Sequence, residues 1–79
     1  MNPIAETLVR LNLSEPQAAR YLGVPVYTVR KWIAGTRKPA ASALRLIDVF
    51  QTLEALAPAL HDYFLTDARD AGVRRRKKK

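Results

Sequence analysis

The chain contains no cysteine and only one histidine, His61. The first absence removes disulfides, thiolate nucleophiles and cysteine-based zinc sites, and it fits a reducing, cytoplasmic compartment. A lone histidine without cysteine cannot complete a transition-metal site, so neither a metal nor another cofactor is expected. Long apolar runs are missing as well. The longest uncharged stretch, Tyr21 to Val29, is nine residues, against the roughly 18 needed to span a bilayer. Met1 to Leu13 lacks a basic cluster ahead of an apolar run and places Glu6 where a signal peptide is uncharged, so secretion is not expected. No glycine-rich phosphate loop is present, and Ser14 and Ser42 have no visible histidine–acid partners. A chain this small also leaves little room for a deep pocket, so an enzyme is not expected.

Acid is absent from one long segment. Residues 16–47 carry Arg20, Arg30, Lys31, Arg37, Lys38 and Arg45 and no carboxylate. The segments on either side differ: residues 1–15 are net −1, residues 48–73 net −4, and Arg74 to Lys79 are six consecutive cations, for a total of +7. A structured segment of one sign repels itself and suits a polyanion such as nucleic acid. The acidic block is expected to face elsewhere.

At 79 residues the chain is sized for one compact domain. Residues 1–72 are expected to form it, with 73–79 as a disordered basic tail that repels itself and has little apolar area to bury. That tail could be a solubilising end, a nuclear-targeting lookalike or an arm adding phosphate contacts. The predicted fold is all-α, a bundle of four to five short helices. Asn2 caps a first helix from Pro3 to Asn12, with Ile4, Leu8 and Leu11 at helical spacing. Ser14 caps a second from Glu15 to Leu22. Gly23 permits positive φ, and Pro25 both expels Val24 from the α region and opens a third helix that ends near Gly35. A fourth spans Ala40 to Ala57, its apolar stripe formed by Ala43, Leu46, Ile47, Phe50, Leu53 and Leu56 or Ala57. Pro58 either starts a fifth helix, with Leu60, Tyr63 and Phe64, or kinks the fourth.

Two short helices joined by a glycine-containing turn, with a small residue where they cross, can dock near a right angle. Ala19 and Gly23 occupy those positions, while Val29 and Trp32 share one face of the third helix. The pattern Ala19, Gly23, Val29 and Trp32, continued by Gly35-Thr36-Arg37-Lys38-Pro39 and by Leu44 and Leu46, resembles the Cro and phage-repressor (XRE-like) helix-turn-helix family. The resemblance runs from about Pro3 to Ala57. Glu15 stands where that family often has a phosphate-contacting glutamine, and Pro25 replaces its usual serine or threonine cap.

That resemblance implies a third helix in the major groove and a second crossing the backbone. Arg30 is then placed for a bidentate contact to guanine, Lys31 for guanine or phosphate, Tyr27 for a base edge or phosphate, and Val26 for a thymine methyl. Arg20, Thr28, Thr36, Arg37, Lys38 and Arg45 are the expected phosphate contacts. Trp32, sharing a face with Val29, is expected in the core rather than at a base. The implied function is a sequence-specific regulator of transcription acting as a homodimer on an inverted repeat of duplex DNA, and associated with the nucleoid. Repression is expected over activation because no separate activating surface is visible, and the compactness suits a phage or mobile-element regulator. The alternative is an interaction module, antitoxin-like, whose C-terminal helix binds a protein partner. Leu53, Leu56, Leu60, Tyr63 and Phe64 either close the core or form a two-fold interface.

Overall fold

A computed structural model describes residues 2–71, and among them the regular structure is entirely helical. Five helices follow in order: α1 (Pro3–Leu11), α2 (Glu15–Leu22), α3 (Val26–Ala34), α4 (Ala41–Leu56) and α5 (Pro58–Asp70). The boundary expected between residues 72 and 73, and the basic tail beyond it, lie outside the described residues.

Local chemistry explains the ends. Asn2 Oδ1 accepts from the Ala5 N–H at 2.8 Å, while Asn2 Nδ2 donates to the Trp32 carbonyl at 3.0 Å. One side chain thus caps α1 and ties it to α3. Ser14 and Gln17 form a reciprocal capping box at the start of α2. The first three helices end alike, on left-handed residues Asn12, Gly23 and Gly35. In each case the next residue's N–H reaches back five positions, as in Leu13 to Leu8, Val24 to Ala19 and Thr36 to Lys31. Asparagine is among the few non-glycine residues that take this conformation readily, so α1 stops at Leu11 and Asn12 is its cap rather than its last turn.

Two other boundaries differ from expectation. Pro25 is extended (ψ 150°) and stands outside α3 as its N-cap, so the helix begins at Val26. Ala57, pressed by the ring of Pro58, leaves helical geometry at φ −145° and ψ 66°. The proline therefore starts a separate α5. Of the expected apolar stripe of α4, Ala43, Ile47 and Phe50 are buried and Leu46, Leu53 and Ala57 half-buried, whereas Leu56, the alternative to Ala57, is 80% exposed.

The core is built around α2, which packs on α3, α4 and α5, while α1 covers α3 and α4. Ile4, Leu11, Ala18, Ala19, Leu22, Val29, Trp32, Ile47, Phe50 and Leu65 are among its buried residues. Trp32 is a core anchor, as its shared face with Val29 predicts, and its indole N–H is buried without a hydrogen-bond partner among the described residues. α5 turns His61, Leu65 and Ala68 inward. Leu60, Tyr63 and Phe64 stay exposed. None of the described helices is long and apolar enough to cross a membrane.

Candidate nucleic-acid interface

The α2–turn–α3 unit carries Arg20, Val26, Tyr27, Thr28, Arg30 and Lys31 of the singled-out residues, and the loop that follows carries Thr36, Arg37 and Lys38. Gly23, at φ 71°, lets the chain reverse between the helices, and a side chain there would be strained by the backbone rather than by neighbours. Val29 and Trp32 point into the angle between the helices, which leaves Tyr27 and Arg30 outward. Tyr27 is 59% exposed, and the Lys31 ammonium lies 4.9 Å from the centre of its ring. That contact orients both groups along one edge of α3. Val26 is half-buried against the core, so only part of its surface is left for a thymine methyl.

The loop after α3 is open. Gly35 ends the helix at φ 82°, and the Thr36 hydroxyl donates to the Lys31 carbonyl at 3.3 Å. Thr36, Arg37 and Lys38 are all exposed. Arg37, Lys38 and the half-buried Thr28 line a mainly apolar groove of about 500 Å³ with Leu22, Val24 and Trp32.

Among the described residues four arginines have carboxylate partners, three of them within the basic segment. Arg30 Nε donates to Glu15 Oε1 at 2.9 Å. Arg20 makes two bonds to Asp67 on α5, Nε to Oδ2 at 2.8 Å and Nη2 to Oδ1 at 3.0 Å. Arg45 lies 4.0 Å from Asp48. The hydrogen bonds with Asp67, more than its bare charge, push the Arg20 pKa up, and the same bonds draw the Asp67 carboxyl below its ordinary range. Of the expected phosphate contacts, Arg20 and Arg45 therefore sit beside acids, whereas Arg37 and Lys38 have no carboxylate partner among the described residues. The acidic block does not simply face elsewhere. Asp67 reaches into the basic segment, and Glu54 binds Arg10 through both oxygens at 2.9 and 3.1 Å.

The start of α2 is poorly suited to hold a phosphate. Pro16 has no N–H, Ser14 Oγ takes the Gln17 N–H, and the Ser14 carbonyl takes that of Ala18. Glu15 adds a negative charge at the same place.

Besides the Arg20–Asp67 and Arg10–Glu54 pairs, two constellations were not legible in the sequence. One is the Glu15–Arg30 pair. The other joins α2 to α5, where the Tyr21 hydroxyl and His61 Nε2 lie 2.8 Å apart in the interior. Burial pushes the Tyr21 phenol up to about 12, and the Phe50 ring packs 4.3 Å from that of Tyr21. Partners separated by fifteen and forty residues leave no periodic trace. No family model matches the chain, and neither the curated proteins nor the solved structures give a match.

Proposed function

We propose that this chain is a sequence-specific duplex-DNA-binding regulator of transcription, a repressor that places α3 in the major groove and acts as a homodimer on an inverted repeat. One observation carries the proposal. α3 is docked on α2 through a left-handed glycine turn with Val29 and Trp32 inward, leaving Tyr27, Arg30 and Lys31 on its outer side and Arg37 and Lys38 on the loop that follows. A helix so presented has the width for the major groove, and its flanking cations the chemistry for phosphate. Arg30 and Lys31 are assigned to base edges with Tyr27 and Val26 beside them. Arg37, Lys38, Thr36 and Thr28 are assigned to the backbone, with Arg20 and Arg45 as weaker contributors because their acids compete.

The homodimer rests on a second surface. Leu60 and Tyr63 on α5 are 57% and 67% exposed, the Phe64 ring meets that of Tyr63 at 5.2 Å, and Leu56 at the end of α4 is 80% exposed. Leu60, Tyr63 and Phe64 share one face of α5 at helical spacing, and exposed apolar side chains of that size suit an association face. The same face supports the other functional class, in which it receives a different protein and the helix-turn-helix is a scaffold.

Selection from a random pool of duplexes at near-physiological salt tests the proposal. An enriched inverted repeat with half-sites about one helical turn apart is expected. Salt-sensitive binding without enrichment would overturn sequence-specific regulation, leaving a non-specific basic protein or one whose true partner is another protein.

A further inference from the structure

We infer that Glu15 governs the base preference of α3 by holding Arg30 through Nε, so that the guanidinium presents its two terminal nitrogens to a guanine. The inference rests on the DNA-binding function proposed for the chain.

An arginine has two edges able to bind a pair of acceptors, Nε with one Nη, or the two Nη groups together. Nε carries one hydrogen, and Glu15 Oε1 takes it at 2.9 Å. The Nε edge is therefore occupied. The Nη groups of Arg30 make no hydrogen bond among the described residues, and the side chain is 63% exposed. A free arginine samples many rotamers, whereas one tethered at Nε loses less freedom when its remaining fork meets the O6 and N7 of guanine.

The charge of Glu15 acts in the same direction. Its side chain is 38% exposed at the first position of α2, beside the edge of α3 that faces the duplex in the proposed complex. There it repels phosphate on every sequence, and only a base that engages the Arg30 fork offsets the repulsion. Glu15 thus lowers affinity in general and raises discrimination at one base pair.

The test compares the wild-type chain with Arg30→Ala, Glu15→Ala and Glu15→Gln. Each is titrated against the preferred duplex and against one altered at the base pair where Arg30→Ala relaxes selection. That base is expected to be guanine, and Arg30→Ala to reduce discrimination about ten- to a hundredfold. Glu15→Ala binds the altered duplex at least as tightly as wild type and loses severalfold of discrimination at that pair alone. Glu15→Gln, whose amide oxygen still accepts from Nε, keeps more of it. Glu15 is half-buried at the start of α2, and matching thermal melts confirm that both of its variants are folded.

Equal weakening on both duplexes, with the ratio unchanged in Glu15→Ala, assigns Glu15 a structural role and overturns the inference alone. A preferred base other than guanine at that pair also overturns it. A wild-type chain without sequence preference, or an Arg30→Ala variant with its preference intact, overturns the assigned reading role of Arg30 and the inference with it.

Discussion

α3 and α5 both expose aromatic rings, but in opposite company. Tyr27 on α3 lies under a lysine, and that helix contains no acid. Tyr63 and Phe64 on α5 meet edge to face at 5.2 Å, with Asp62, Asp67 and Asp70 on the same helix. An aromatic beside a cation can approach a polyanion, whereas aromatics among carboxylates are repelled by one. The four ion pairs sharpen this contrast, because each uses an arginine and leaves Lys31, Arg37 and Lys38 without a carboxylate partner among the described residues. Lys31, Arg37 and Lys38 lie at the end of α3 and in the loop behind it, whereas Arg69, the α5 cation without a carboxylate partner among those residues, is tied to the Leu11 carbonyl at 3.0 Å. In the proposed function the α3 face meets nucleic acid and the α5 face meets protein.

The largest effect is expected where the two regions meet. The Phe50 ring lies 4.3 Å from Tyr21 on α2, and 5.5 Å from Phe64 and 6.1 Å from His61 on α5. Phe50→Ala should cost about 3–5 kcal/mol, a large part of the roughly 5–15 kcal/mol that holds a domain together. Urea denaturation followed by Trp32 fluorescence and by far-ultraviolet circular dichroism measures it. Coincident midpoints for both probes would show that the regions unfold as one unit, and separated midpoints that they are coupled only loosely.

Leu60→Asp should act in reverse, on association rather than on folding. Leu60 is 57% exposed, so the stability of the isolated chain is expected to change by no more than about 0.5 kcal/mol. Sedimentation should show the proposed dimer converted to monomer, because the substitution places a further carboxylate in an apolar face. An unchanged sedimentation profile would remove α5 as the subunit interface and weaken the contrast between the two faces.

Much of this arrangement was legible in the sequence for a physical reason. Caps and turns are local, so Asn2, Ser14, Gly23 and Gly35 announce helix ends, and the face shared by Val29 and Trp32 follows from helical spacing. Burial in α4 was legible from helical spacing as far as Leu53, but spacing left Leu56 and Ala57 as alternatives, and the fold half-buries Ala57 and exposes Leu56. The exposed set on α3 could be named from its periodicity, but its pairings could not. Glu15 with Arg30 and Asp67 with Arg20 depend on how helices cross. The sequence shows a surplus of charge in residues 16–47, while the fold decides which of those charges remains open.

The smallest effect concerns that decision directly. Asp67 bridges the two regions through Arg20, and its hydrogen bonds hold its carboxyl below the ordinary range. Folding therefore favours the ionised form. The stability it contributes is complete above the unfolded carboxyl's pKa and is lost as the pH falls through that value toward the lower folded one. Asp67→Asn should remove this dependence, so that thermal melts of variant and wild type differ slightly at neutral pH and converge in acid. Because both side chains are well exposed, salt should shrink the neutral difference. A difference that persists undiminished in acid would mean that Asp67 acts through packing rather than charge. In the same variant Arg20 is released to bind phosphate, so affinity for all duplexes should rise modestly. A rise confined to the preferred duplex would instead place Arg20 among the base-reading residues.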